Sequence, residues 1–236
     1  MSRPMSSGLT RDERGVVTYT VDDAPTRNAL STRILADIDQ VLASLAQDRS
    51  VRAVVFTGAG TTFSSGADRS ELDDPAVVER TTSLLSSILI RIDQSPVPVV
   101  CRVNGAAFGA GLAIMAAADI SIAVVDAVFG LPEVRFGLVA GPAAVSCLAR
   151  VGQAAALDVL LTGRRFDAEA ARQMQLVTAV VDRADLDAAV DERLSDLLLG
   201  DYDALARTRL LVRQLRGADI SDRLTFASAV ANGLHP

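Results

Sequence analysis

No lysine occurs in this chain: all 23 basic residues are arginine. That removes Schiff-base chemistry and any lysine general base. The single histidine, His235, stands next to the C-terminal residue. A Ser-His-Asp or Cys-His mechanism would have to bring that residue into a demanding geometry. Tryptophan is absent and aromatics make up 4% of the residues, so the core is built from Ala, Val, Leu and Ile. Cys101 and Cys147 lie in apolar stretches with no histidines nearby. That pattern excludes a zinc site and reads as buried free thiols in a reducing compartment. No apolar run reaches the roughly 20 residues of a membrane span. The opening M-S-R-P-M-S-S-G lacks the apolar segment of a signal peptide. Acidic residues number 29 and the net charge is −6, which argues against non-specific nucleic-acid binding. The expectation is a soluble cytoplasmic protein with no metal, no membrane and no nucleic-acid partner.

What is abundant is apolar and small. Half of the 236 residues are hydrophobic, enough for one domain with a sizeable core. Residues 1–10 read as disordered. Strands are expected over 16–21, 51–57, 97–103 and 120–125, where β-branched residues cluster. Ser31 is placed to cap a helix carrying Ile34, Ile38, Val41, Leu42 and Leu45 at helical spacing. Asp73-Asp74-Pro75 opens a second helix running to about residue 93. Further helices are expected over 142–151, 153–161 and 167–174, followed by a strand-like T-A-V-V. From Ala184 the pattern is helical, with Leu186, Val190, Leu194, Leu197 and Leu198 on one face. Strand and helix alternate in the first two-thirds, and the last third is mainly helical. The expected fold is α/β with a helical C-terminal region.

Two glycine-rich turns carry the chemistry. Asn104 to Asp119, N-G-A-A-F-G-A-G-L-A-I-M-A-A-A-D, runs from the end of a buried strand into an unbroken apolar helix. Such a turn leaves backbone N–H groups unpaired and lets a ligand approach them closely, and the helix dipole adds partial positive charge. A second turn, T-T-F-S-S-G-A-D-R over 61–69, follows the strand at 51–57. If the two turns converge, the N–H groups near Ala67 and Ala110 form an oxyanion site. Each aimed donor is typically worth about 2.7–4 kcal/mol at the transition state. A dinucleotide site fits less well. Ile114 stands where Gly109-x-Gly111 would need a third small residue, and Asp126 is the nearest candidate for a ribose-binding acid. Neither G-x-x-x-x-G-K-[ST] nor G-x-S-x-G occurs.

Four segments, in order, resemble the crotonase (enoyl-CoA hydratase/isomerase) superfamily. They are Arg27-Asn28-Ala29-Leu30-Ser31, Gly58 through Asp68, Asn104 through Gly111, and Phe129-Gly130-Leu131-Pro132-Glu133. A fifth stretch, Leu160-Leu161-Thr162-Gly163 with Ala168-Glu169-Ala170, is similar to the family's C-terminal pattern. The resemblance spans residues 12–185. It implies a spiral of ββα units over 11–141 and a mainly helical, oligomerising region over 142–236, assembled as a homotrimer or a dimer of trimers. It implies an acyl-CoA thioester as substrate, in fatty-acid-type metabolism, with coenzyme A part of the substrate and no separate cofactor. Ala67 and Ala110 fall where the family places its two oxyanion N–H groups. Arg27, Ala29, Asp68 and Arg69 lie in or beside segments that line the CoA groove. Asp68, following a turn, also reads as a helix cap.

The acids divide the possible reactions. The family's hydratases use two glutamates, and one of these positions is Ala113 here, with only Leu112, Ile114 and Met115 beside it. The other is Glu133, which is present. Loss of one positioned acid or base typically costs ~10²–10⁴ in rate. The resemblance therefore points to a double-bond isomerase or an unassigned lyase rather than a two-glutamate hydratase. In an isomerase one glutamate moves a proton from C2 to C4, as the resemblance to the family's isomerases implies. Apolar Leu131, Val134 and Phe136 beside Glu133 would raise its pKa. A pairing of Glu133 with Arg135 is the competing reading. Glu71, Asp73, Asp74 and Glu79 are the candidates for a second proton-transfer group. The rival functions are a non-catalytic acyl-CoA-binding protein and a dinucleotide-dependent oxidoreductase.

Overall fold

A computed structural model describes residues 7–214 and 219–231. In chain order the strands are β1 (Ser7–Arg11), β2 (Val16–Val21), β3 (Ala53–Gly58), β4 (Thr62–Ser64), β5 (Val99–Val103), β6 (Ala106–Phe108), β7 (Ile120–Val124), β8 (Val128–Gly130), β9 (Arg165–Asp167) and β10 (Ala179–Val181). The helices are α1 (Thr32–Leu45), α2 (Pro75–Gln94), α3 (Gly109–Ala117), α4 (Gly141–Leu148), α5 (Gln153–Thr162), α6 (Ala168–Gln173), α7 (Leu186–Leu198), α8 (Tyr202–Gln214) and α9 (Ile220–Ala231).

The strands form two sheets. One has the order β1-β2-β3-β5-β7-β10 and the other β4-β6-β8-β9. Consecutive pairs β3/β4, β5/β6 and β7/β8 each send one strand to each sheet before a helix follows. This is the repeating ββα spiral of the crotonase fold. Parallel pairing runs from β2 to β10 in the large sheet and from β4 to β8 in the small one. β3 is buried along its whole length and β5 at all but Arg102, as expected of strands covered on both faces.

Local signals account for the helices. The Ser31 hydroxyl accepts from the Ile34 N–H at 3.3 Å, opening α1. Its Ile34, Leu35, Ile38 and Leu42 are buried. Asp74 caps α2 through the Ala76 N–H at 2.9 Å, with Pro75 in the first turn, where its missing N–H is no loss. α3 is buried from Gly109 to Ala116, so it has no polar face to present. α8 docks through Arg209 and Arg213, which pair with Asp119 at 2.8 and 2.9 Å.

One expectation changes. Residues 7–10, read from sequence as part of a disordered terminus, form most of β1, which pairs antiparallel with β2 from Ser7↔Val21 to Arg11↔Val17. The strand is held by backbone hydrogen bonds at a sheet edge, and Leu9 is 51% exposed, so no apolar alternation marked it. Residues 1–6 lie outside the described residues. The mainly helical region after residue 141 adds one strand to each sheet. β10 joins the large sheet beside β7, and β9 joins the small one beside β8.

Candidate active site

Two buried asparagines shape the glycine-rich turns. Asn28, in the left-handed region with φ 59°, accepts from the Asp23 N–H at 2.9 Å. It donates to the carbonyls of Ala59 at 3.0 Å and Thr62 at 2.7 Å. Asn104 accepts from the Gly58 N–H at 3.2 Å and donates to Gly60 at 2.8 Å and Thr62 at 3.3 Å. The two amides thus meet on the Thr62 carbonyl. They tie the Arg27 loop, the β3–β4 turn and the end of β5 into one unit. Buried polar groups that are fully satisfied in this way specify a unique local geometry.

Beyond β4, the Leu30 N–H donates to the Gly66 carbonyl at 2.8 Å and the Asp68 N–H to the Leu30 carbonyl at 3.2 Å. Ala67 is the bridge residue facing Leu30. Backbone groups alternate sides along an extended chain, so the Ala67 N–H points away from Leu30. Ala67 lines the cavity. On the second turn, Ala110 is the second residue of α3, where an N–H has no intrahelical partner. Phe108 at the N-cap supplies no side-chain bond.

Glycine lets these turns approach each other. A methyl group on Gly109 would lie 3.8 Å from the Gly66 Cα and 2.9 Å from Glu133 Oε1, and its φ is +49°. A methyl on Gly111 would stand 2.5 Å from Ser64 Cβ, so only glycine allows α3 to pack against β4 here.

Glu133 lies in the short helical turn Pro132–Phe136 after β8. Ala67, Ala110 and Glu133 line one cavity of about 350 Å³. Its apolar wall includes Leu72, Val78, Leu85, Phe136, Leu138 and Val139. Glu133 Oε2 is buried and has no hydrogen-bond partner among the described residues. Burial pushes the carboxyl pKa up, opposed in part by a bond to its own backbone N–H. Leu131 is fully buried and Phe136 is on the cavity wall, whereas Val134 is 44% exposed and off it. Arg135 does not pair with Glu133: its Nε donates to the Thr162 carbonyl at 3.0 Å. Ala113 is fully buried.

Of the other candidates, Arg69 lines the cavity, with its guanidinium 4.1 Å from the centre of the Phe136 ring. Arg27, Ala29 and Asp68 are off its wall. Arg27 is exposed and accepts the Ser65 N–H at its carbonyl, 3.0 Å away. Ala29 is buried, and its N–H donates to the Thr26 hydroxyl at 3.2 Å. The Asp68 carboxylate caps the following turn through the N–H and hydroxyl of Ser70, at 3.0 and 2.7 Å. Among the four candidates for a second acid, Asp73 alone is on the cavity wall. Glu71 accepts from the Thr32 N–H and hydroxyl at 2.8 and 2.7 Å, Asp74 caps α2, and Glu79 is exposed off the wall.

Other groups are engaged elsewhere. Asp126 takes both oxygens to Arg183, at 2.8 and 2.7 Å. Burial pushes the Cys101 and Cys147 thiols up to about 12, so neither supplies a thiolate near neutral pH. His235 lies outside the described residues. Among the described residues no group of three or more His, Cys, Asp or Glu is disposed to hold a metal ion, and no helix is long and apolar enough to cross a membrane. The asparagine staples were missed from sequence. Their one signal was Asn104 at the opening of its glycine-rich segment; Asn28 stands outside both segments.

Comparison with known proteins gives a consistent picture. Residues 11–222 match the family described as enoyl-CoA hydratase/isomerase. A short-chain-enoyl-CoA hydratase of Clostridium acetobutylicum is 30% identical over 228 residues, 95% of this chain and 87% of that protein. A probable enoyl-CoA hydratase of Mycobacterium bovis is 34% identical over 65% of this chain, and the match spans 58% of that relative. The crystal structure of an enoyl-CoA hydratase from Mycobacterium smegmatis superposes with a TM-score of 0.87 at 31% identity, covering 98% of this chain and 90% of that one.

Proposed function

The chain belongs to the enoyl-CoA hydratase/isomerase (crotonase) superfamily, and from that premise we propose that it is an acyl-CoA double-bond isomerase working with one glutamate. The thioester carbonyl oxygen sits between the Ala67 and Ala110 N–H groups. Their dipoles acidify the C2 protons, and the Glu133 carboxylate removes one. The electron pair moves into a dienolate whose charge gathers on the thioester oxygen, where aimed donors act most strongly. Glu133, now protonated, returns the proton to C4, and the double bond moves from the 3,4 to the 2,3 position.

The observation that carries this proposal is the buried carboxylate of Glu133, unpartnered at Oε2, in the cavity that holds both amide turns. A raised pKa brings a carboxylate nearer to the working range of a general base. Ala113, at the position of the hydratases' other acid, offers no proton. The test is turnover of a 3-enoyl-CoA by the wild type and by Glu133→Gln. Equal rates would sink the proposal.

A second reading is favoured by one observation. Asp73 lines the same cavity, so it could activate water while Glu133 protonates C2, giving hydration by a different carboxylate pair. Loss of crotonyl-CoA hydration in Asp73→Asn, with 3-enoyl-CoA isomerisation retained, would identify it. We also propose a trimeric or hexameric assembly. Exposed Leu210, Leu211 and Val212 on α8 and Leu157 and Leu161 on α5 support it as surface to be covered between copies. A monomeric mass in solution would refute it.

A further inference from the structure

Among the described residues, Arg69 is the one basic side chain on the cavity wall. Its guanidinium lies over the Phe136 ring at 4.1 Å. That stack fixes the plane of the fork and leaves its N–H edges for a planar anion. Among the described residues no carboxylate takes this place. Asp68 is bound to Ser70, and no ion pair links Arg69 to Asp73, although both line the cavity. Other surface arginines close on acids directly, such as Arg164 on Asp158 and Arg183 on Asp126.

We propose that Arg69 is a specificity-determining residue that binds a carboxylate at the far end of the acyl group, so that the substrates of this site are thioesters of dicarboxylic acids. The proposal rests on the acyl-CoA reading of the same cavity. Two anions on such a ligand could meet Arg69: a distal acyl carboxylate or a phosphate of coenzyme A. The stack favours the first. The Arg69 guanidinium lies against Phe136, three residues from Glu133 in the same short helical turn, so it sits on the wall that carries the proposed base. The Ala67 amide holds the thioester, and the CoA phosphates lie a whole pantetheine arm away from it. The same wall carries Leu72, Val78 and Leu85, which suit the methylenes between the two ends. Asp73 on that wall repels a carboxylate that misses Arg69 and so sharpens its placement.

The test is calorimetric binding of glutaryl-CoA, butyryl-CoA and free CoA to the full chain and to Arg69→Met and Arg69→Lys. The two saturated thioesters differ chiefly at the chain end and have no double bond to shift. Arg69 is exposed, so the wild type is expected to bind glutaryl-CoA about 2- to 5-fold more tightly than butyryl-CoA, the usual range for an exposed ion pair. Arg69→Met should bring that ratio close to one, and Arg69→Lys should fall between. Equal wild-type affinities for the two thioesters would overturn the proposal and leave the acyl-CoA site standing. Loss of free-CoA affinity in Arg69→Met as large as the loss for glutaryl-CoA would also overturn it, assigning Arg69 to a phosphate. Absence of binding by both thioesters would overturn it together with the proposed function.

Discussion

Glu133→Gln separates the chemical role of this carboxylate from its cost to the fold. The substitution keeps the shape and removes the charge. In the proposed mechanism Glu133 is the sole proton carrier, so replacing it should cost ~10²–10⁴ in turnover. The same change should stabilise the protein. Glu133 Oε2 is buried without a partner among the described residues; Gln keeps a polar atom there and removes only the charge, whose share of the burial cost is about 1 kcal/mol. For a chain of this size each kcal/mol moves Tm by about 2–4 °C, so the gain is of that order. Its pH dependence has a definite sign. Burial raises the folded-state pKa above the unfolded one, so between the two values the native protein holds the extra proton. Stability therefore falls as pH rises through that window. Below the ordinary glutamate pKa of about 4.3 both states are protonated and the penalty is absent. The variant should melt higher than the wild type at mildly alkaline pH and equally in acid. Thermal melts at the two extremes, beside the 3-enoyl-CoA assay, measure both effects. A variant that melts lower at alkaline pH would mean that the carboxylate has a stabilising partner, and the reasoning would fail.

Gly111→Ala puts a methyl 2.5 Å from Ser64 Cβ. The overpacking should cost about 1–3 kcal/mol in urea melts and lower kcat by separating the two amide turns. Asn104→Ala removes the bonds to Gly58, Gly60 and Thr62, for about 1–3 kcal/mol by chemical denaturation. Arg209→Met leaves Asp119 with Arg213 and the Val99 N–H, and takes a donor from the Ile92 and Ser95 carbonyls. The Arg209 side chain is 9% exposed, and losing such a charged hydrogen-bonded partner costs about 1.5–3 kcal/mol, read as a lower Tm. In the wild type, isomerisation should rise with pH through the raised Glu133 pKa, since the base works unprotonated. A rate that falls over that limb would contradict it.

Helices were legible because their signals are local: Ser31 and Asp74 at the N-caps, Pro75 in a first turn, and Leu186, Val190 and Leu194 on one face. Apart from β1, the large sheet was legible through its β-branched runs. The small sheet was not. β4, β6, β8 and β9 are three residues each, too short for a period, and β4 and β6 lie inside segments that read as small-residue turns. The residues of the site were named by resemblance, but their convergence depends on contacts between distant segments. Asn28 reaches Thr62 across 34 positions and Asn104 reaches it across 42. Which carboxylate faces the cavity was equally hidden, because Glu71, Asp73 and Asp74 adjoin one another in sequence and only their hydrogen bonds distinguish them.

The most direct test is a comparison, on one purified sample, of trans-3-hexenoyl-CoA isomerisation with crotonyl-CoA hydration. With Glu133 alone in the proton-transfer role and Ala113 silent, isomerisation should exceed hydration by at least about 100-fold, and Glu133→Gln should abolish it. Hydration as fast as isomerisation, or isomerisation that survives in Glu133→Gln, would contradict the single-glutamate account.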